Sequence, residues 1–525
     1  MKGSRRMVKA AFFWVFCALL SGCVAVELID VRIVGGTVID GSPDGGPPDR
    51  IVDIIGDKIV YVGPMRSGNP ARTIDATGKI VAPGFIDPHT HAYGELSDAE
   101  KAANLPYLFQ GVSTVFVGND GGVGRVTDVR QQLSLHALGT NVGVFAGHGS
   151  IRRQVLGTED RAPTSSELRV MQNAVAQDMR AGGLGLSTGL FYAPGSFADI
   201  DEVVALATVA ASFGGIYESH IRDEADYSIG LLGAVKEAIE VGKQANIPVH
   251  LAHIKALGPS VHGQSRAIVD LVNAARAEGV AVTADQYPWL ASGTRLSNAL
   301  IPRRVMTEGA QGLRDFLGDT EALASIQREM RENLRRRDGA EALLITGDSP
   351  YQGKTLAEVA ASTGLEPTVA AADIVRQGDP AVASFMMNAD DLELLMVQEW
   401  VVTSSDGSRG HPRKYASFPQ KYANYVQGEQ PVLDLVTFVH RSSGSTAEIF
   451  GLCDRGFLRA GLNADIVIFD PQGYQPRATY EKPEELAHGV EYLFVNGIAA
   501  ISERTLRTPT SGQLVTPLNC AGEIP

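Results

Sequence analysis

Cysteine is scarce in this chain. There are four in 525 residues; Cys17 and Cys23 stand near the start, which leaves Cys453 and Cys520 for the folded part. At most one disulfide can form between those two, and an oxidising compartment would permit it. An excess of basic charge is absent as well. The formal net charge is −14, so there is no electrostatic case for a nucleic-acid partner, and the acid balance by itself speaks only for solubility. No Ser/Gly-rich linker, low-complexity stretch or internal repeat divides the chain, although roughly 500 residues exceed one ordinary domain. A large barrel with an appended sheet meets both conditions.

The apolar run Ala10–Leu20 is too short for a membrane span. It follows Lys2, Arg5, Arg6 and Lys9 and ends in Leu20-Ser21-Gly22-Cys23. A positive start, a short apolar core and small residues before a break describe a secretory signal over residues 1–22. The tetrapeptide resembles a bacterial lipobox, which implies a lipid anchor on Cys23. Val24 follows, with no aspartate to retain the protein at the inner membrane, so an outer-membrane lipoprotein facing the periplasm is expected. Removal of the segment's four positive charges takes the formal charge from −14 to −18.

Short alternating strands open the mature part: Val26–Val34, Gly36–Ile39, Arg50–Ile55, Lys58–Val62 and Arg72–Asp75. Turn signals such as Asp40-Gly41 and Gly56-Asp57 separate them, as in a small β-sandwich. From residue 79 apolar strands alternate with helical segments: Ile80–His91, Val112–Asp120, Asn141–Gly149, Gly183–Leu190, Gly214–Ile221, Ile247–Ala256, Val280–Trp289 and Glu399–Gly407. Eight strands, seven of them at intervals of roughly 20–35 residues, predict a (β/α)8 barrel, with an open doubly wound sheet as the alternative. The eighth follows an insertion over about 291–398, whose charged segment Glu321–Arg337 is helical in character. Strand signals return at Gly461–Asp470 and Glu491–Val495. The expected organisation is therefore a sandwich over 23–78 and 451–525, built from both chain ends, around a barrel over 79–450.

The most telling stretch is Ile80-Val81-Ala82-Pro83-Gly84-Phe85-Ile86-Asp87-Pro88-His89-Thr90-His91. Residues i and i+2 of a strand share a face, so His89 and His91 can reach one metal ion. Barrel chemistry belongs at the carboxyl ends of strands, and three other such ends carry ligand-type residues: His220 on strand five, His253 on strand six and Asp406 on strand eight. Imidazole and carboxylate in this pattern suit a zinc-like ion with an open position for water. His250, three residues before His253, is left out of the set. His136, His262, His440 and His488 fall in helical or loop contexts.

The run ending in His-Thr-His resembles the amidohydrolase superfamily. Further motifs are similar to those of its D-aminoacylase family, the N-acyl-D-amino-acid deacylases: Gly147-His148-Gly149-Ser150-Ile151-Arg152, Gly185-Leu186-Ser187-Thr188-Gly189-Leu190, His220-Ile221-Arg222-Asp223-Glu224, Gln286-Tyr287-Pro288, and Ser405-Asp406-Gly407 through His411-Pro412-Arg413. The likeness runs from about residue 27 to 515. One position departs from it. Where the family has Gly-Asn-Cys-Gly, this chain has Gly118-Asn119-Asp120-Gly121. A carboxylate is harder than a thiolate; Asp120 ligates the metal in its place, bridges two ions, or points away.

The resemblance implies metal-assisted hydrolysis of a linear amide, releasing a D-amino acid, with one or two divalent ions, zinc in the first place. It puts His220, His253 and Asp120 on the tighter site and His89, His91 and Asp406 on the second. Asp406 would move a proton from the attacking water to the leaving amine, unless it only caps a turn. Lys255, Tyr287 and Arg413 would hold the substrate's α-carboxylate, with a surface ion pair as the other reading of Arg413. Arg295 either selects an acidic side chain or pairs with Asp285 or another rim acid. The alternatives are an L-Xaa-D-Xaa dipeptidase, a cyclic-amide hydrolase, or a barrel that has become a binding lipoprotein. Strand four carries no lysine at Ser187-Thr188-Gly189, which speaks against the carboxylated-lysine hydantoinase type.

Overall fold

The computed structural model describes residues 28–307, 309–507 and 509–517. The signal segment, Cys23 and Cys520 lie outside them; Cys453 is disulfide-bonded.

Two β-sheets form the expected sandwich from both chain ends. One has the order Lys58–Gly63, Ile51–Ile55, Leu28–Val34, Asn69–Asp75. The other runs Thr37–Val38, Ile80–Pro83, Ile466–Phe469, Val490–Val495, Ile498–Ser502, Thr505–Leu506. Their facing side chains, including Ile33, Val52 and Ile59 against Val81, Ile466 and Phe494, make one dry core. The structure corrects the reading of Ile80–His91 as one barrel strand. Ile80–Pro83 pairs antiparallel with Ile466–Phe469 in the sandwich, and the barrel begins only at Phe85. The apolar run serves two sheets in succession, and its hydrophobicity does not show the break at Pro83-Gly84.

The barrel has eight parallel strands: Phe85–Asp87, Val112–Val117, Asn141–Val144 continuing into Ala146–Gly147, Gly185–Gly189, Ile216–His220, Val249–Leu251, Val282–Gln286 and Val401–Thr403. Neighbours pair in sequence order. The third strand is carried across Phe145 by bonds from Phe145 N–H to Val117 O and from Leu184 N–H to Val144 O, both 2.9 Å. The ring closes at the catalytic rim, where Thr90 bridges Gly407 and Asp406 N–H donates to His89 O at 3.0 Å.

Near-continuous apolar strands suit burial on both faces, and amphipathic helices cover them. Leu231–Ala245, for example, buries Val235, Ala238, Ile239 and Val241 against Leu251 and Val249. Ser165–Arg180 starts with a capping box, in which Thr164 Oγ1 accepts from Glu167 N–H at 3.3 Å while the Glu167 carboxylate accepts from Thr164 N–H at 2.7 Å.

The insertion is a body with its own core. Ala291–Arg295, Ala381–Phe385 and Leu343–Ile345 form an antiparallel sheet. Leu300, Ile326, Met330 and Val375 pack beneath it. The charged segment is the helix Thr320–Arg336, capped by Asp319. No helix among the described residues is long and apolar enough to cross a membrane.

Candidate active site

The six ligand-type residues converge over the barrel mouth. His89 and His91 leave the first strand side by side; His89 is fully buried, whereas the His91 side chain keeps 37% of its surface at the rim. His220 ends the fifth strand. The other three lie just past their strands in left-handed backbone: Asp120 at φ +58°, His253 at φ +34° and Asp406 at φ +47°. Such conformations are uncommon for non-glycine residues and gather at functional sites. Here each lies where the chain turns away from a strand and leaves the side chain over the axis.

Asp120 is the hub. Its carboxylate oxygens lie 3.3 Å from His220 Nδ1, 3.4 Å from His89 Nε2, 3.5 Å from His253 Nε2 and 3.6 Å from His91 Nε2. Asp406 Oδ1 is 3.1 Å from His91 Nε2 and 3.8 Å from His89 Nε2. Three overlapping triads have ligand atoms within 4.8 Å of one another: His89–His91–Asp120, His89–His253–Asp406 and Asp120–His220–His253. Both nitrogens of His89 and of His220, and Asp120 Oδ1, are buried and face one another or a carboxylate without completing a hydrogen bond. Orphaned buried nitrogens around a carboxylate fit a bound cation, since such groups are otherwise costly to leave unpaired.

Beneath this layer lies a set of acids that the sequence reading left without a role. Glu218 Oε1 is 3.2 Å from His89 Nδ1. Asp285 accepts from the His253 N–H at 3.0 Å and from the Ser404 hydroxyl, and its other oxygen lies 3.0 Å from His250 Nε2. Glu224 Oε1 is 3.2 Å from His253 Nδ1 and pairs with Lys255 Nζ. Carboxylates behind metal-type imidazoles fix the tautomer and the ring orientation. Glu218 was findable: two residues before His220 on one strand, it shares that residue's face. His250, left out of the ligand set in the sequence, anchors Asp285.

Burial disfavours an ionised carboxylate. It does so for Asp87, pushed up to about 7. At Asp120 burial is outweighed by His220 and His89, and at Asp406 by Arg413 and His253, so both stay ionised well below the usual carboxylate range.

Arg413 is buried, not a surface pair; its Nη1 lies 2.8 Å from Asp406 Oδ2 and its Nη2 donates to Ser408 Oγ at 3.0 Å. Tyr287 lies near both cations, its ring centroid 4.8 Å from the Arg413 guanidinium and 5.6 Å from Lys255 Nζ, with its hydroxyl 3.7 Å from Met387 Sδ. Asp406 turns its carboxylate to His91 and Arg413 and accepts no backbone N–H among the described residues. Arg295 does not meet Asp285; it lines the outer cavity wall, donates to the Asp379 carbonyl at 3.1 Å and has no ion pair among the described residues. The cavity over these groups holds 510 Å³, a size suited to a small molecule.

The amidohydrolase family model matches residues 72–499. The chain is 30% identical to the D-aminoacylase of Alcaligenes xylosoxydans xylosoxydans, over 93% of this chain and 97% of that one. It is 32% identical to the N-acyl-D-glutamate deacylase of the same organism, over 91% and 94%. Among solved structures, the N-acyl-D-glutamate deacylase of Bordetella bronchiseptica, complexed with zinc and a phosphonate mimic of the tetrahedral intermediate, superposes with a TM-score of 0.80 at 29% identity, covering 94% of this chain and 100% of that one.

Proposed function

The chain belongs to the amidohydrolase family, in its D-aminoacylase branch, and from that membership we propose that it hydrolyses the amide bond of N-acyl-D-amino acids to release the free D-amino acid. The observation that carries the reading is the single carboxylate of Asp120 within 3.6 Å of four imidazoles, beside a buried arginine poised for a second carboxylate.

His220, His253 and Asp120 would hold one divalent ion, and His89, His91 and Asp406, with Asp120 between, a second; a mixed imidazole–carboxylate set suits zinc. Such an ion polarises a carbonyl and acidifies water. Everything else falls to the chain itself. Asp406, ionised and adjacent, takes the proton of the attacking water and returns it to the leaving amine. Arg413 donates a planar fork to the substrate's α-carboxylate, with Lys255 adding charge and the Tyr287 ring beside both. Glu218, Glu224 and Asp285 keep the imidazoles oriented. The cavity wall around Arg295 takes the side chain of the released residue. With no acid paired to its guanidinium, and with relatives named for N-acyl-D-glutamate and N-acyl-D-aspartate, Arg295 favours an acidic D-residue.

The test is a stereochemical panel. N-acetyl-D- and N-acetyl-L-glutamate, aspartate and leucine, and L-Xaa-D-Xaa against L-Xaa-L-Xaa dipeptides, are compared with metal content measured in parallel. D-acidic substrates should be fastest, and Arg295→Ser should erase that side-chain preference without reversing the hand. Faster hydrolysis of the L series throughout would leave only the general amidohydrolase assignment. The envelope location belongs to the same proposal: Cys23→Ala should release the protein from membrane fractions.

A further inference from the structure

The cavity does not end at the metal-type ligands. Phe191 and Asn298 line both it and a second cleft of 810 Å³ beneath the insertion. The α-carboxylate groups Lys255, Tyr287 and Arg413 follow barrel strands six to eight. Phe191 follows strand four, on the opposite side of the barrel, its ring 5.8 Å from that of His220. A substrate with its α-carboxylate at Arg413 and its scissile carbonyl over the ligand cluster therefore points its acyl group at Phe191 and the cleft beyond.

That cleft is strongly basic in a protein whose formal charge is −14. Arg303 and Arg304, on a 3-10 turn, face Arg328, Arg331, Arg335 and Arg336 of the helix Thr320–Arg336. Three of these have acidic partners: Arg304 with Glu329, Arg335 with Glu332 at 2.6 Å, Arg336 with Asp226 at 3.1 Å. Arg303, Arg328 and Arg331 have no ion pair among the described residues. A solvated helix face would account for Arg328 and Arg331, which are exposed. It does not account for Arg303. That guanidinium comes from another element and stacks 3.9 Å above the Phe191 ring centroid, a cation–π contact that fixes its position. It is half-buried and lines the second cleft against Phe191, one of the two residues that both cavities share. Three cations free of ion pairs among the described residues remain along a concave wall whose Glu329 and Glu332 are taken up by Arg304 and Arg335, and such a surplus concentrates anions there.

We infer that the acyl side of the site is built for an acyl group bearing its own carboxylate, which Arg303 receives and the arginines of the helix attract. This rests on the deacylase reading and names the acyl half of its substrate: a dicarboxylic acyl group, or an acidic residue joined through its carbonyl to the D-amino acid.

The experiment compares kcat/KM for the preferred D-residue carrying succinyl, glutaryl or adipoyl groups with the chain-matched neutral butanoyl, pentanoyl and hexanoyl groups. The N-acetyl derivative serves as baseline. At least one dicarboxylic acyl group should exceed its neutral match by about tenfold or more, as one charge-assisted contact provides. Arg303→Met should bring the pair within about twofold while leaving the N-acetyl rate unchanged, as expected of a site outside the reacting groups. Raised salt should shrink the preference in the native enzyme. Equal rates across all three pairs, or a preference untouched by both Arg303→Met and the double variant Arg328→Met/Arg331→Met, overturns the inference. Calorimetric titration with glutarate against pentanoate reads the cleft without turnover, and equal affinities of the two acids likewise overturn it. Failure of the N-acetyl baseline itself would instead sink the deacylase reading.

Discussion

Replacing Arg413 by methionine separates two roles that its position allows. The guanidinium is buried and lies 2.8 Å from Asp406, so it can serve the substrate's α-carboxylate, the proton-carrying Asp406, or both. Removing one partner of a desolvated charge pair costs about 2–5 kcal/mol, which is roughly 30- to 4,000-fold in kcat/KM. Arg413→Met should show a loss in this range on an N-acetyl-D-amino acid. The decisive arm is the same substrate as its α-amide, which lacks the carboxylate. If Arg413 grips the substrate, native enzyme should already be slow on the amide, and the substitution should cost little more. The cycle of enzyme and substrate changes should then couple by about 2 kcal/mol or more. If Arg413 only holds Asp406 in place, both substrates lose equally and the coupling vanishes. A vanishing coupling refutes the carboxylate fork; the pH profile of kcat on the amide would then move with the substitution, because Asp406 loses its cation.

His220→Ala should stay folded by circular dichroism yet bind metal at least about a hundredfold more weakly, since it removes a ligand and not just its support; full turnover in a metal-free preparation would refute the mechanism. Asp120→Ala should lose metal in the same assay, whereas Asp120→Cys should retain activity and shift preference toward softer ions; unchanged metal content in Asp120→Ala would strip Asp120 of its role. Burial, helped by Arg441, lowers Lys421 from an ordinary 10.5 to about 7. The unfolded chain keeps that proton up to about 10.5, so between the two values it binds more protons than the native protein, and stability rises with pH by an amount on the order of a few kcal/mol. Lys421→Met should be the more stable protein near pH 7 and lack that rise, read from urea midpoints at pH 7 and 10; parallel curves for the two proteins would refute the burial argument.

The barrel was legible because its strands are continuous apolar runs, and five ligand-type residues stood out because histidine and aspartate recur at the carboxyl ends of four of them. What hid was what depends on three-dimensional neighbours. The break at Pro83-Gly84 left no trace in the hydrophobicity, since Ile80–Pro83 and Phe85–Asp87 are equally buried in different sheets, and only the Pro-Gly turn signal marks it. Glu224 and Asp285 gave no sign of supporting the histidines, because a lone acid reads as surface until the imidazole above it is known. For Arg295 the residue type left a substrate acid, Asp285 or another rim acid open, and the position of Asp285 beside His253 and His250 removes Asp285. Arg303, in a segment of unremarkable pattern, gains meaning only from the ring of Phe191.

Every ligand-type residue comes from the barrel, whereas Arg295 and the arginine helix come from residues 291–398, which fold on their own sheet and core. Reaction and taste are thus written in separate stretches of the gene. Drift in the insertion can retune which acyl-amino acid is accepted without disturbing a single ligand. Exchanging that segment between relatives is accordingly the smallest graft that should transplant a substrate preference whole.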